Sequence, residues 1–200
     1  MIAAVVLAAG LGTRMGTSKP LLPIGGRPAL ASILSTLNEA RVETVVVVLG
    51  RDADRVSQSV DLRGQTLVRN PMPERGLSSS LALGFDAVPP AAMGALVLHA
   101  DMPFVRPSTV RAVCALAEEG ARIAAPQFGD TRGFPVYFSR SCFGSLRAEL
   151  AGDVGARGFI DAHRDLLRLV PVDDPGCVRD LDRPEDLAMT EGRAAWTTCA

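Results

Sequence analysis

The residues best suited to chemistry in this sequence lie in a glycine-rich turn near its beginning. An apolar run ends at Ala9 and opens into the segment Gly10-Leu11-Gly12-Thr13-Arg14-Met15-Gly16-Thr17-Ser18-Lys19. Glycines let backbone N–H groups approach an anion closely, because no Cβ blocks the way and positive φ values cost little. Arg14 and Lys19 add full positive charges that peptide dipoles cannot supply. The turn therefore predicts a polyphosphate-binding loop whose ligand is a nucleoside triphosphate.

Two other phosphate-binding patterns do not fit this spacing. A P-loop requires G-x-x-x-x-G-K-[ST], and no Gly-Lys pair is present in the turn. The dinucleotide pattern G-x-G-x-x-G matches at Gly10 and Gly12 but has Met15 in place of its third glycine. The remaining alternative is a plain strand-to-helix turn, which accounts for the glycines and leaves the two cations unexplained.

Asp101 is the strongest candidate for a metal ligand. It follows the apolar run 96–98 and His99-Ala100, and it precedes Met102-Pro103. A carboxylate at the end of a buried strand can bind Mg²⁺, which prefers oxygen ligands and retains waters beside substrate phosphates. The alternative is a turn or cap, since Asp is common in turns. His99 shares strand parity with Asp101, although a single histidine beside a core strand is usually structural.

A second candidate carboxylate lies in an acidic segment over residues 178–187. Asp182, followed by Pro184 and Glu185, fits a helix N-cap with a variant capping box, and a capping residue can also bind metal. If this segment returns beside the strand that ends at Asp101, the two carboxylates flank one Mg²⁺ opposite the cationic loop. Such an arrangement predicts a phosphoryl- or nucleotidyl-transfer site.

An α/β sheet is the element that must position these residues. Short β-branched runs alternate with segments that carry apolar residues at helical spacing. The predicted strands are 5–8, 45–49, 67–68, 95–98, 122–125 and 136–138, and the predicted helices are 28–40, 77–88, 108–119, 142–150 and 158–167. This alternation predicts a mostly parallel sheet with helices packed on it. Ligands of such sheets bind at the carboxyl ends of the strands, where the turn and Asp101 lie.

Composition limits the class of protein and of ligand. With 200 residues, 48% hydrophobic content and a formal net charge of −1, the chain is expected to form one domain over residues 1–200. It has no electrostatic reason to bind nucleic acid or an anionic membrane, so a small-molecule ligand is expected.

The cysteines and the apolar segments indicate where such a protein resides. The four cysteines, Cys114, Cys142, Cys177 and Cys199, form no C-x-x-C pair, which argues against zinc ribbons and disulfide scaffolds and for packing in a reducing compartment. The apolar beginning lacks a basic n-region, and no stretch reaches the ~18 apolar residues of a membrane span. A cytoplasmic protein is expected.

Taken in order, these motifs resemble those of the MobA-like nucleotidyltransferases. The matching motifs are L-A-A-G-x-G-x-R-M-G-x-x-K over 7–19, Asn70-Pro71 with the serine-rich turn 76–81, Asp101-Met102-Pro103, and Asp182-x-Pro184-Glu185-Asp186. The resemblance covers nearly the whole chain. It implies a Rossmann-like, GT-A-like, three-layer α/β/α fold with a mostly parallel central sheet.

Two further segments resemble one branch of that group, the molybdenum cofactor cytidylyltransferases. These are Arg132-Gly133-Phe134-Pro135-Val136 and the stretch 152–157, and Ala9 before Gly10 resembles the CTP-using branch more than the guanylyltransferases. Enzymes of this branch join CTP to molybdopterin with release of pyrophosphate. Phe134 departs from the Gly-His-Pro-Val pattern of the branch. It can either stack on a flat ring or pack under the loop.

The resemblance implies a role for each matched residue. The catalytic residues are Arg14, Lys19 and Asp101, and the metal ligands are Asp101 and Asp182, with Mg²⁺ or Mn²⁺ as the ion. The residues implied in holding the nucleotide are Leu7, Ala8, Ala9, Gly10, Gly12, Arg14, Lys19, Asn70, Gly76, Ser78 and Ser79. Arg157 is implied in binding the phosphorylated acceptor, although Gly152-Asp153 can equally end one helix and cap the next.

Three functions from different classes remain open at this point. The first is a nucleotidyltransferase that uses CTP, or GTP, and molybdopterin or a sugar phosphate. The second is an NAD(P) or flavin oxidoreductase, against which Met15 argues. The third is a non-catalytic protein that delivers cofactor to a molybdoenzyme or its maturation chaperone, against which the pair Asp101 and Asp182 argues.

Overall fold

A computed structural model describes residues 1–10, 18–150 and 155–181. Within those ranges the strands are β1 (Ile2–Ala8), β2 (Pro23–Ile24), β3 (Arg27–Pro28), β4 (Thr44–Leu49), β5 (Thr66–Arg69), β6 (Gly94–His99), β7 (Ile123–Phe128), β8 (Thr131–Arg132), β9 (Val136–Ser139) and β10 (Leu167–Pro171). The α-helices in the same ranges are α1 (Ala29–Glu39), α2 (Ala53–Ser59), α3 (Leu77–Asp86), α4 (Pro107–Glu118), α5 (Phe143–Glu149) and α6 (Arg157–Ala162).

One mixed sheet organises these elements. Its strand order is β10-β7-β9-β6-β1-β4-β5, and β8 pairs with the end of β7. The pairs β1–β4, β1–β6, β4–β5 and β7–β10 are parallel, whereas β9 is antiparallel to both β6 and β7. Because β9 runs in the opposite direction, the loop that precedes it lies at the same edge as the carboxyl ends of the parallel strands. This edge of the sheet is called the carboxyl edge below.

Helices cover both faces of the sheet and bury two hydrophobic clusters. Along β1, Ala4 and Val6 belong to the cluster that includes α1, α2 and α4, whereas Ala3 and Val5 belong to the cluster that includes α3, α5 and α6. Successive strand side chains point to opposite faces, so both sides of a doubly covered strand must be apolar. The predicted three-layer α/β/α fold with a mostly parallel sheet is confirmed.

The structure differs from the sequence-based prediction at the predicted helix 158–167. Helix α6 ends at Ala162, a 3₁₀ turn follows over Arg164–Leu166, and the chain continues into β10. The structure also contains α2, which the sequence pattern does not predict. β10 is an edge strand with much of its length exposed, so it lacks the buried alternation that would reveal it. The segment forms a strand because its backbone pairs with β7, and this pairing outweighs the local propensity.

Two other expectations can be compared with the described part of the chain. None of the helices in those ranges is long and apolar enough to cross a membrane. The cysteines there, Cys114, Cys142 and Cys177, are free thiols. Burial raises the pKa of Cys114 and of Cys177 to about 11, which keeps both thiols protonated at neutral pH and suits a packing role.

Candidate active site

The exit of β1 lies at the centre of the carboxyl edge. Ala9 is buried and Gly10 is exposed, and the N–H of Ala100 donates to the carbonyl of Leu7 over 3.0 Å. Gly50, at the end of β4, packs so tightly on this exit that a Cβ there would lie 2.8 Å from the Ala9 carbonyl oxygen. The ends of β1, β4 and β6 are therefore held close together. Gly12 and Arg14, predicted to continue the loop, lie outside the described residues.

Lys19 and Asp101 meet beside this exit, although 82 residues separate them in sequence. The Lys19 Nζ donates to Asp101 Oδ2 over 2.8 Å, and the two side chains are only 19% and 20% exposed. Lys19 is also the only lysine in a chain that contains 20 arginines. A lysine ammonium is a compact point charge, unlike the planar guanidinium fork. The structure thus brings together the predicted catalytic cation and the predicted metal ligand.

The acidic segment near residue 180 returns to Asp101. The backbone N–H of Leu181 donates to the Asp101 carbonyl over 2.8 Å, and the Leu181 side chain is fully buried against Leu22 and Ala29. This anchor places Asp180, an exposed residue, next to the Asp101 strand. Asp182 follows on the other side of Leu181 and lies outside the described residues. Asp180 belongs to the acidic segment, but the sequence motif points to Asp182 and carries no signal for Asp180.

His99 and Phe134 form an aromatic contact in the same place. Their ring centroids are 4.7 Å apart at an interplanar angle of 75°, an edge-to-face arrangement. Burial lowers the pKa of His99, the Asp101 and Asp180 carboxylates raise it, and Lys19 lowers it further, with burial as the largest effect. The neutral imidazole is therefore favoured. Of the two alternatives for Phe134, the observed contact is packing against His99.

Asn70 organises the turn that leads into α3. This buried side chain donates from Nδ2 to the hydroxyls of Ser79 and Ser80, each over 2.9 Å. Its Oδ1 accepts from the Met72 N–H over 2.9 Å, and the Ser79 hydroxyl donates to the Gly76 carbonyl over 2.8 Å. The network fixes the turn at the carboxyl edge. Asn70 and Ser79 are thus brought together, while their contact with a nucleotide stays a prediction.

Two buried hydroxyls at this edge have no hydrogen-bond partner among residues 1–10, 18–150 and 155–181. Ser78, at the start of α3, and Ser18, next to Lys19, are buried, and neither Oγ makes a hydrogen bond. Gly76, which begins the same turn, has φ +89°, a conformation that favours glycine. Buried polar atoms are normally hydrogen-bonded, so each unpartnered hydroxyl in a native structure requires an explanation such as a bound polar group.

The sequence of the chain matches a known family over most of its length. Residues 4–166 match the MobA-like NTP transferase domain. The chain belongs to this family. The predicted enzyme class, a nucleotidyltransferase, is confirmed, and this MobA-like chain carries its paired Lys19 and Asp101 within the matched region.

A solved relative shares the fold, and one of its structures is a complex with manganese. Rv0371c from Mycobacterium tuberculosis H37Rv is 32% identical, with 94% of this chain and 96% of that chain covered at a TM-score of 0.83. A structure of Rv0371c in complex with manganese covers 96% of this chain and 98% of that one, at 30% identity and a TM-score of 0.82.

Two curated relatives differ in how much of their length is shared. The bifunctional protein GlmU of Alkalilimnicola ehrlichii is 37% identical over 133 residues, which are 65% of this chain but only 28% of GlmU. The chain thus matches under a third of that protein's length. Nicotine blue oxidoreductase of Paenarthrobacter nicotinovorans is 28% identical over 194 residues, covering 93% of this chain and 94% of the relative.

Asp174 is a buried carboxylate that holds a turn beside the candidate site, and no sequence motif predicts it. Its side chain is 2% exposed. Its Oδ2 accepts from the Arg106 N–H over 2.9 Å and from the Thr109 hydroxyl over 2.6 Å, and its Oδ1 accepts from the Gly176 N–H over 2.9 Å. No local motif could reveal these contacts, because the first two partners lie 68 and 65 residues away.

The turn that Asp174 holds braces both halves of the site. Gly176 packs so closely on the loop after Asp101 that a Cβ would lie 2.1 Å from the Phe104 carbonyl oxygen. The next residue, Cys177, accepts from the Phe134 N–H over 2.7 Å. The turn over residues 174–178 therefore connects the Asp101 loop to the Phe134 loop.

The donor set of the MobA-like chain fits a magnesium or manganese ion. Within the described ranges, no group of three or more His, Cys, Asp or Glu side chains converges as a dedicated metal cage. Mg²⁺ does not require one, because it is bound by one or two carboxylates together with waters and substrate phosphates. Asp101 and Asp180 carry carboxylates of that type, and Asp182 lies two residues after Asp180 in the sequence.

Arg157 lies at the start of α6 and is 80% exposed. Gly155, just before it, packs against Leu77 at the start of α3, where a Cβ would lie 2.7 Å from Leu77 Cδ2. The beginning of α6 is therefore adjacent to the predicted nucleotide turn. A cavity of about 540 Å³ lies elsewhere, between Met1 and Arg111, and contains none of the predicted site residues.

Proposed function

We propose that this nucleotidyltransferase transfers CMP from CTP to the phosphate of molybdopterin and releases pyrophosphate. The observation that carries the proposal is the 2.8 Å contact between Lys19 and Asp101 at the carboxyl edge, with the acidic segment anchored to the Asp101 carbonyl. Ala9 before Gly10 favours CTP, and the segments 132–136 and 152–157 favour molybdopterin as acceptor. Guanylyl transfer and transfer to a sugar phosphate are the alternatives within the same family.

The residues of the chain supply positioning and charge, and no protein nucleophile is required. A phosphate monoester is largely dianionic at neutral pH, because its second pKa is about 6, so it can attack the α-phosphorus without a general base. His99 is not required as a general base in this scheme, and its ring packs against Phe134. Lys19 would donate to an α-phosphate oxygen, and Arg14 with the loop N–H groups would hold the departing pyrophosphate.

Asp101 and Asp182 would hold the metal ion, with Asp180 as a further carboxylate beside them. A bound Mg²⁺ would neutralise phosphate charge and lower the cost of charge development at the α-phosphate. The two unpartnered hydroxyls, of Ser18 and Ser78, support a polar ligand at this edge.

The decisive test is a screen of the four NTPs with molybdopterin and Mg²⁺, measured by pyrophosphate release. We expect CTP to give the highest kcat/KM and chelation of Mg²⁺ by EDTA to abolish turnover. A preference for GTP would convert the assignment to guanylyl transfer. Absence of pyrophosphate with all four nucleotides, with either molybdopterin or a panel of sugar phosphates, would refute the proposal.

Redox activity is a second candidate function, favoured by one observation. The relative matched over nearly its full length is named an oxidoreductase. Against it, Met15 occupies the place of the third fingerprint glycine. Oxidation of NADH or NADPH by the purified chain, followed by absorbance with nicotine blue as electron acceptor, distinguishes this candidate from nucleotidyl transfer.

A further inference from the structure

Three arginines surround one carboxylate on the α3/α6 side of the carboxyl edge. The Asp161 carboxylate lies 3.8 Å from Arg132 Nη1, 3.8 Å from Arg157 Nε and 3.9 Å from Arg164 Nη2. These four residues are called the arginine cluster below. Three positive charges against one negative charge leave a net charge of two positive within the cluster. One carboxylate therefore cannot neutralise the site.

The contacts inside the cluster are ion pairs without close hydrogen bonds. At 3.8–3.9 Å the guanidinium nitrogens lie beyond the usual N–H···O range of 2.7–3.2 Å. Their donors are therefore not consumed by Asp161. Guanidinium groups bind phosphate through paired N–H donors, and such charge-assisted contacts are stronger than neutral ones. The arrangement leaves donor capacity for an anionic ligand.

The cluster also lies between two loops of the active site. Arg132 pairs with Gln127 at the carboxyl end of β7 and directly precedes Gly133 and Phe134, whose ring packs on His99. On the other side, the residue pair Gly155 and Leu77 joins the start of α6 to the start of α3. The cluster is therefore connected through Phe134 to His99, two residues before Asp101, and through α6 to the start of α3.

The three arginines differ in how far their side chains are exposed. The Arg132 side chain is 27% exposed, whereas Arg157 and Arg164 are 80% and 78% exposed. Arg132 is thus packed by its neighbours, while the other two guanidinium groups are open to solvent and therefore accessible to an incoming group.

We propose that the arginine cluster is the subsite for the phosphate of the acceptor, and that Asp161 is an internal counter-ion which that phosphate displaces. This inference rests on the proposed function, and it adds Arg132, Arg164 and Asp161 to the role implied for Arg157. It predicts opposite changes in affinity for the acceptor: removing an arginine weakens acceptor binding, whereas removing the Asp161 charge strengthens it.

The kinetic test compares four variants at saturating CTP and Mg²⁺. We expect Arg132→Gln and Arg157→Gln each to raise the KM for molybdopterin about tenfold, while the KM for CTP stays within about twofold. Asp161→Asn should lower the KM for molybdopterin roughly threefold. The matched control is Arg168→Gln, an exposed arginine of β10 that pairs with Glu119 over 2.7 Å, and it should change neither constant.

A binding test gives a readout that does not depend on turnover. Calorimetric titration with inorganic phosphate, in EDTA with and without CTP, should show weaker binding for the two arginine variants and tighter binding for Asp161→Asn. If no NTP supports transfer but the variants change phosphate affinity in these directions, the subsite is supported and the proposed function is refuted. If transfer proceeds but phosphate affinity does not change in these directions, only the subsite is refuted.

Two outcomes would overturn the proposal directly. One is an increase in the KM for CTP, with that for molybdopterin unchanged, which would assign the cluster to the nucleotide. The other is weaker phosphate binding by Asp161→Asn, which would make the carboxylate part of the binding surface. Thermal melting of each variant verifies folding, and the exposed positions Arg157 and Asp161 keep the test interpretable if Arg132→Gln is unstable.

Discussion

The Lys19–Asp101 pair and the arginine cluster are two charged sites, both proposed to bind phosphate, that differ in geometry. In the first, a single cation and a single carboxylate meet at 2.8 Å with side chains about one-fifth exposed. In the second, three guanidiniums share one carboxylate at 3.8–3.9 Å, and two of them are about four-fifths exposed. The difference separates a preformed site from an adjustable one.

The distances and the exposure to solvent determine how strongly each ion pair fixes the geometry of its site. Coulomb interactions strengthen at short range and where water is excluded, so the buried pair has a defined geometry before substrate arrives. Exposed ion pairs are screened by salt and contribute about 0–1 kcal/mol to stability. The proposed chemistry at the α-phosphate requires a defined geometry such as that of the Lys19–Asp101 pair. Entry of a bulky acceptor is compatible with the exposed arginine cluster.

The largest effect on kcat/KM is expected from a substitution in the Lys19–Asp101 pair. Asp101→Asn should lower kcat/KM for CTP by roughly 10²- to 10³-fold or more, because it removes a metal-binding charge from the reacting centre. Pyrophosphate release with CTP, molybdopterin and Mg²⁺ measures the change, and far-ultraviolet circular dichroism confirms the fold. Asp61→Asn, at an exposed carboxylate that pairs with Arg63, is the matched control and should change neither kcat nor KM. Near-normal turnover of Asp101→Asn would remove this residue from the metal site.

An intermediate effect is expected at Asp174, whose turn connects the two sides. Asp174→Asn places N–H donors where the carboxylate now accepts from Arg106 and Thr109, and unsatisfied buried groups cost about 1–3 kcal/mol each. We expect a loss of about 2–4 kcal/mol in the free energy of unfolding, measured in urea, together with a lower kcat. Asp173→Asn, at the exposed neighbouring position, should change neither quantity. Equal stability of both variants would contradict a bracing role.

The smallest effect is expected from salt. Its influence on the KM for the acceptor and on the KM for CTP compares the two sites without a mutation at the reacting centre. Raising NaCl from about 50 to 300 mM shortens the Debye length from roughly 14 to 6 Å and should raise the KM for the acceptor several-fold. The KM for CTP should rise less, because the Lys19–Asp101 pair is mostly buried. Arg157→Gln should reduce the salt sensitivity of the acceptor KM. Equal salt dependence of both constants in both proteins would argue against two different kinds of site.

Much of the site can be predicted from sequence because its residues follow strands. Asp101 comes directly after β6 and the glycine-rich turn after β1, and parallel strands bring their carboxyl ends to one edge. The prediction fails where a signal is non-local or weak. β10 lacks a buried alternation, and it begins at Leu167, the last residue of the predicted helix 158–167. Asp174 and its partners are 65 and 68 residues apart, a separation that no local pattern encodes.

The sequence by itself determined the chemical groups and the sheet edge at which they gather, because residue types and strand periodicity are local properties. Only the tertiary structure decided which charges meet. It paired the sole lysine with Asp101, anchored Leu181 to the Asp101 carbonyl, and placed three arginines around Asp161. These contacts arise from the packing of segments that are distant in sequence, and such packing depends on the whole core rather than on any one motif.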